Sequence, residues 1–125
     1  MILDNLMVKY HSERLNQVFF ALSDPTRRAM LSRLDRQVLS VSELARPFKM
    51  SAPAALKHVR VLERAGLLRA RKRGRVRYCA LQAEAMRAAA GWIDRYRAFW
   101  EEQLDALDRY LRAAAEATPP SKRPR

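Results

Sequence analysis

The first apolar residues of the chain recur at helical spacing. They predict a short amphipathic helix over residues 12–22 that ends near Ser23. Its apolar positions are Leu15, Val18, Phe19 and Leu22. Asp24 and Pro25 then mark the start of a second helix, because an aspartate caps the free amides of a first turn and proline suits the first helical position.

A second pair of polar signals predicts the third helix. Ser40 is followed three residues later by Glu43, which is the spacing of a capping box. The helix that it starts covers residues 42–48 and ends near Lys49. Because Pro47 disturbs it, we expect only about two turns.

The fourth helix has both of its ends marked. Ser51 can cap its start, and Gly66 follows residues 51–65 at the position where a left-handed C-terminal cap is needed. An apolar stripe along this helix is expected to face the core. Its members are Leu56, Val59, Leu62 and Ala65.

From Leu68 the period of the pattern changes to two, which predicts a β-hairpin with its tip at Gly74. The apolar positions are Leu68, Ala70, Val76, Tyr78 and Ala80. The positions between them are Arg69, Arg71, Arg73, Arg75 and Arg77. We therefore expect a two-stranded wing with one face of arginines.

The helical period returns over residues 83–117 and predicts one long final helix. Its apolar stripe contains Trp92, Ile93, Tyr96, Phe99, Trp100, Leu104, Leu107 and Leu111. So small a domain cannot cover that surface, and pairing with a second copy is the simplest solution. A ligand pocket is the alternative for the aromatic residues.

This order of elements predicts a mainly α-helical winged helix-turn-helix domain over residues 12–117, between an N-terminal extension (1–11) and a disordered basic tail (118–125). The charge supports that assignment. The formal net charge is +12, and residues 57–77 hold nine Lys or Arg against one acid, Glu63. A field concentrated on one helix and the hairpin after it is typical of a binder of nucleic acid.

Several other classes are disfavoured by the composition. Cys79 is the one cysteine, so neither a disulfide framework nor a cysteine-cluster zinc site can form within the chain. No nucleophile with a nearby base, phosphate-binding glycine loop or metal set can be assembled, so we expect no enzymatic activity and no cofactor. The absence of a signal peptide or a spanning segment predicts a cytoplasmic protein with no membrane partner.

Three segments carry a resemblance to the ArsR/SmtB family of bacterial winged-helix repressors. They are ALSDPTRRAML at 21–31, SVSELARPFKMSAPAALKHVRVLERAGLL at 40–68 and RKRGRVRYCAL at 71–81. The last helix resembles a metal-independent branch of that family. The resemblance implies a homodimer on double-stranded DNA, with the helix at 51–65 in the major groove and the wing tip at Gly74 on the backbone or minor groove.

Carried over to this sequence, the resemblance also implies site residues. On the recognition helix and the wing, the DNA-binding residues are Ser51, Ala52, Ala55, Lys57, His58, Arg73, Gly74 and Arg75. The first and last helices form the implied dimer interface. Its residues are Leu15, Phe19, Trp92, Tyr96, Phe99, Trp100, Leu104, Leu107 and Leu111. The cysteine and histidine ligands of the family's metal sensors are missing, and any small-molecule effector is unknown.

Alternatives stay open at this point. His58 is a base contact or a structural donor rather than a metal ligand, because no second ligand lies at suitable spacing. Cys79 is an apolar strand residue or, if Arg77 gives it thiolate character, a redox switch. Many family members have polar residues where this chain has Ala52 and Leu56. A non-specific nucleoid-associated or RNA-binding protein therefore competes with a sequence-specific repressor.

Overall fold

The computed structural model describes the backbone of residues 2–117 and the side chains of residues 12–117. The elements in chain order are α1 Ile2–Leu22, α2 Pro25–Arg33, β1 Leu39–Ser40, α3 Val41–Ala45, α4 Ala52–Arg64, β2 Leu68–Arg73, β3 Val76–Leu81, a 3-10 turn Ala83–Ala85, α5 Met86–Asp94 and α6 Arg97–Ala117. They divide into two compact units, residues 1–90 and 91–125. The mainly helical fold with a small wing is confirmed, and the predicted tail at 118–125 lies outside the described residues.

Side-chain caps begin three of the helices at the predicted residues. The carboxylate of Asp24 accepts a hydrogen bond from the Arg27 amide at 3.0 Å, with Pro25 in the first turn of α2. Ser40 and Glu43 form the predicted capping box of α3 through reciprocal bonds of 3.1 and 3.0 Å. Ser51 accepts from the Ala54 amide at 3.2 Å and begins α4. Each cap satisfies an amide that the first helical turn leaves without a partner.

Two predicted helix boundaries are wrong. The first helix begins at Ile2 rather than Ser12, because nothing between them interrupts a helix. The third helix ends at Ala45, earlier than residue 48. Pro47 has no amide hydrogen to continue the helical bonding, and the guanidinium of Arg33 donates instead to the carbonyls of Glu43 and Leu44 at 2.6 and 2.7 Å.

The prediction of one helix over residues 83–117 is also wrong. A 3-10 turn precedes α5, and a tight turn at Arg95 and Tyr96 separates α5 from α6. The amides of these two residues bond carbonyls three positions back, at 3.3 and 3.0 Å. The sequence between Asp94 and Arg97 has no glycine or proline that explains the interruption.

The wing belongs to a three-stranded antiparallel sheet in the order β1-β3-β2, which corrects the predicted two strands. β1 pairs Leu39 with Cys79 and Ser40 with Tyr78. A two-residue strand is too short to show a period in the sequence. The sheet and the helices of the first unit enclose one apolar core. Its fully buried large side chains are Val18, Met30, Leu34, Leu44, Val59, Leu62, Leu67, Leu68 and Cys79.

None of the helices within the described residues is both long enough and apolar enough to cross a membrane.

Candidate nucleic-acid interface

Helix α4 is held by one buried face. Ala55, Val59 and Leu62 are each at most 1% exposed, and burying a side chain such as Leu62 contributes about 1.5–3 kcal/mol. Its end is closed at Gly66, whose φ of +76° is the left-handed conformation predicted for this position. The amides of Gly66 and Leu67 bond the carbonyls of Glu63 and Leu62, both at 2.9 Å. A firmly seated helix keeps its outer face in a fixed position.

The outer face of α4 is exposed and basic. Lys57, Arg60 and Arg64 lie on the side opposite the buried face, and Ser51 and Ala52 are exposed at its start. The predicted contact residue Ala55 is different, because the structure places it in the core with 1% exposure. Its inclusion among the groove-facing residues is contradicted, since its methyl group is turned away from solvent.

A buried guanidinium joins α4 to α1 and α2. Arg27 is 8% exposed, and its Nε and Nη2 donate to the carbonyls of Ala21 and Phe20 at 2.8 and 2.9 Å. Its Nη1 lies 3.3 Å from Nδ1 of His58 on α4. The guanidinium also stacks over the Phe20 ring at 5.2 Å. The positive group thus lies at the negative end of the α1 dipole.

This contact favours a structural role for His58. An arginine side chain only donates, so Nδ1 of His58 is the acceptor in this pair. The residue is half-buried and has a structural partner, as an acceptor rather than the predicted donor. Only its Nε2 edge is left for a further contact.

The register of the hairpin separates its cations into two faces. Lys72 pairs with Arg77, and Arg71 pairs with Tyr78. Because side chains alternate along each strand, Lys72 and Arg77 share the face that carries the buried Cys79, which we call the inner wing face. The outer wing face carries Arg69, Arg71, Arg73, Val76, Tyr78 and Ala80. The predicted single arginine face is therefore wrong.

The physical reason is the length of the loop. Gly74 and Arg75 form a two-residue connection between the paired Arg73 and Val76. With two residues in the loop, odd positions of one strand pair with even positions of the other, so arginines at odd positions of both strands face opposite sides. The φ of +62° at Gly74, at the first loop position, matches a type II′ turn.

The inner wing face and α4 together border one groove. A depression of about 330 Å³ lies between them, with Ala52 and Leu56 on the helix side and Lys72, Arg75 and Arg77 on the wing side. Its apolar floor and cationic rim fit the sugar and phosphate groups of a nucleic-acid strand better than they fit a metal or a neutral ligand. Of the predicted wing residues, Arg75 borders this groove, whereas Arg73 belongs to the outer face.

Three cations of this surface were missed by the sequence reasoning. Arg60 is revealed by its helical spacing from Lys57, three positions before it. Lys72 and Arg77 follow from the two-residue loop, once Cys79 rather than Tyr78 is taken as the inward position. Gly74 marks a tight turn in the sequence, but the pairing of Arg73 with Val76 is what fixes a two-residue loop and with it the face of each cation.

Cys79 is buried, and its surroundings disfavour the thiolate. Burial raises the pKa of its thiol to about 11, with the nearby Glu63 carboxylate acting in the same direction and Arg77 opposing. At this pKa the thiolate needed for oxidation is scarce at neutral pH, which favours the apolar strand residue over the redox switch. Among the described residues, no group of three histidine, cysteine or acidic side chains could hold a metal ion.

The second unit presents a row of exposed apolar side chains. Every predicted interface residue from Trp92 to Leu111 is 41–64% exposed. On α6, Trp100, Leu104, Leu107 and Leu111 alternate at spacings of four and three, which is the pattern of a helix seam. In the first unit, Leu15 and Phe19 are half-buried against their own core, while the neighbouring Phe20 is 62% exposed.

Comparison with known proteins gives concordant similarities. A sequence profile described as a helix-turn-helix domain matches residues 22–71. The chain is 35% identical to the HTH-type transcriptional regulator Rv2034 of Mycobacterium tuberculosis, over 78% of this chain and 89% of that protein. It is 29% identical to the transcriptional repressor SdpR of Bacillus subtilis, over 63% and 88%. A crystal structure of an ArsR family transcriptional regulator matches with a TM-score of 0.68 and 48% identity, over 72% and 93%.

Proposed function

Because the chain belongs to the ArsR family of winged helix-turn-helix regulators, and is thus a DNA-binding transcriptional regulator, we propose that it acts as a homodimeric repressor on an inverted-repeat operator. In this proposal α4 enters the major groove and the wing tip at Gly74 follows the backbone or minor groove. The observation that carries the proposal is the groove between α4 and the inner wing face, whose wing side carries the three exposed cations Lys72, Arg75 and Arg77.

The contact set differs from the one that the sequence predicted. We propose Ser51, Ala52, Lys57, Arg60, Lys72, Gly74, Arg75 and Arg77 as the residues that meet DNA. Of these, Ser51 and Ala52 lie at the N-terminus of α4, where phosphate oxygens are favoured by free amides and the helix dipole. His58 contributes through the position of α4, and Arg73 belongs to the other face of the wing.

Dimerisation is proposed through the exposed apolar row of α5 and α6. Nine large apolar side chains from Trp92 to Leu111 are at least 41% exposed in the single chain, more than a monomer normally leaves in contact with water. A second copy offers the same row, so a two-fold pairing is self-complementary. Two recognition helices related by that symmetry would read two half-sites of an inverted repeat.

The dimer is tested by charge reversal of the row against a matched control. Trp100→Asp with Leu104→Asp should give monomers by sedimentation velocity, because buried carboxylates without partners oppose association. Ala98→Asp with Arg109→Gln changes the net charge equally on the opposite side of α6 and should stay dimeric. A dimeric Trp100/Leu104 variant would refute the interface.

A second function has one observation in its favour. The first exposed turn of α4 offers Ala52 and Pro53, neither of which can hydrogen-bond a base edge through its side chain. A non-specific nucleoid-associated or RNA-binding protein would not need such contacts. Selection of bound duplexes from a random DNA pool at near-physiological salt separates the two functions. An enriched inverted repeat supports the repressor, and strong binding without an enriched motif supports the alternative.

A further inference from the structure

The outer wing face contains a groove that the proposed DNA surface does not use. The groove has a volume of about 610 Å³, which lies within the range of small-molecule sites. Arg69, Arg71 and Arg73 line one side of it, and Val38 and Tyr78 are part of its apolar lining. It opens on the side of the sheet opposite the inner wing face, so one duplex on α4 does not cover it.

The three arginines form a regular cationic row. They occupy alternate positions of β2 on one face, so successive residues are about 7 Å apart. Among the described residues, the ion pairs join other groups, at Glu84–Arg87, Asp94–Arg97 and Asp108–Arg112, and none neutralises this row. Like charges held at this spacing repel one another, so an anion in the groove would be favoured.

One member of the row is already held in place. With its amide oxygen turned toward the guanidinium, Gln82 accepts from Nε and Nη2 of Arg69 at 2.9 and 3.0 Å. Arg71 and Arg73 have no such partner in the described residues. The row therefore has one guanidinium positioned at its inner end and two further guanidiniums available toward the tip.

The apolar lining limits the kind of anion. Val38 is 60% exposed and Tyr78 is 37% exposed, and Tyr78 pairs directly with Arg71 across the strands. Inorganic phosphate or a DNA backbone would leave these surfaces in contact with water. A flat apolar body would cover them while its acidic group meets the guanidiniums, an arrangement that arginine's planar fork favours.

We propose that the outer wing face is a binding site for a small organic anion, with a flat apolar body and a carboxylate, sulfonate or phosphate group. Arg71 and Arg73 bind the acidic group, and Val38 and Tyr78 contact the apolar body. The proposal concerns a surface separate from the DNA contacts and does not depend on the proposed function.

Naphthalene-2-sulfonate is a suitable probe, titrated into the full chain and followed by backbone amide shifts in 1H–15N NMR spectra. The expected shifts fall on residues 69–73 and 76–82. Arg71→Gln with Arg73→Gln should weaken binding by roughly tenfold or more, since charge-assisted hydrogen bonds are lost. Lys72→Gln with Arg77→Gln removes the same charge from the inner wing face and should weaken it less than about twofold.

Four results would overturn the proposal. The first is equal weakening by both double variants, which would mean attraction to net charge alone. The second is equal affinity for neutral 2-naphthol, which would make the guanidiniums irrelevant. The third is equal affinity for inorganic phosphate, which would make the apolar lining irrelevant. The fourth is an equal loss of duplex affinity in the Arg71/Arg73 and Lys72/Arg77 variants, which would mean that the outer wing face also binds DNA. Because all four arginine or lysine side chains are exposed, each variant is expected to fold, and a far-UV spectrum checks this.

Discussion

Replacing Arg27 by methionine removes the guanidinium that joins α1, α2 and α4 but keeps most of the aliphatic side chain. The carbonyl of Ala21 loses a buried hydrogen bond of 2.8 Å, and an unsatisfied buried acceptor costs about 1–3 kcal/mol. The partly buried bond to the Phe20 carbonyl adds about 1 kcal/mol, and the contact with the Phe20 ring adds about 0.5 kcal/mol. The expected loss in the free energy of unfolding is therefore about 2.5–4.5 kcal/mol.

Arg28 provides the matched control for this change. It lies next to Arg27 on α2, and its Nη1 also donates to an α1 carbonyl, that of Leu22, at 2.7 Å. That bond is exposed, so water replaces the guanidinium when it is removed. Arg28→Met should lower the free energy of unfolding by less than about 1 kcal/mol.

Urea denaturation measures both variants at one fixed protein concentration, because the proposed dimerisation would make the stability depend on concentration. Arg27→Lys adds a further comparison: it keeps the charge but lacks the fork that reaches two carbonyls and His58, so it should recover less than half of the loss. Equal midpoints for Arg27→Met and Arg28→Met would show that the buried guanidinium does not hold the three helices together.

Three further outcomes are expected. Gly66→Ala should lower the free energy of unfolding by about 1–2 kcal/mol in urea denaturation, because φ is +76° at this position. Gly91→Ala, in α5 with no atom within 4 Å of the added methyl group, should raise it by about 0.5 kcal/mol. A neutral Gly66→Ala would contradict the left-handed cap. The hydrogen bond from the Arg27 amide lowers the pKa of Asp24 below 3.8, so the carboxylate stabilises α2 above its unfolded pKa and loses this effect as pH falls through the native pKa. Asp24→Asn should match the parent in stability near pH 7 and lose less stability in acid. Parallel profiles of stability against pH for the two chains would refute the assignment. With a thiol pKa of about 11, only about one in a thousand Cys79 side chains is ionised at pH 8. Iodoacetamide should therefore label the native chain far more slowly than the urea-unfolded chain. Similar labelling rates would show that the thiol is accessible.

Much of the fold followed from local signals. Asp24, Ser40 and Ser51 begin helices because each side chain satisfies an amide within three residues of itself, and such contacts need no information from the rest of the chain. Gly66 ends α4 for a similarly local reason. The resemblance to the ArsR family, which rested on these same segments, is confirmed.

Two of the errors arose where the outcome depends on distant residues. Leu39 and Ser40 became a third strand because β3 lies beside them, and α3 ends at Ala45 with its carbonyls bonded by Arg33 from another helix. The homodimer, the operator and the residues that meet DNA stay predictions. These predictions rest on the apolar row and the basic residues that the sequence contains. Experiments with a second copy of the chain or with a duplex would test them.

The sequence by itself determined which residues cap the helices, which family the chain belongs to and where its charge is concentrated, between Lys57 and Arg77. Each of these features depends on the types of residues that lie close together in the sequence. Only the tertiary structure decided which side of the wing each cation occupies, that Ala55 is in the core and that Arg27 holds His58. Pairing register and side-chain burial depend on which surfaces meet, and a one-residue shift in register moves every side chain of a strand to the opposite face.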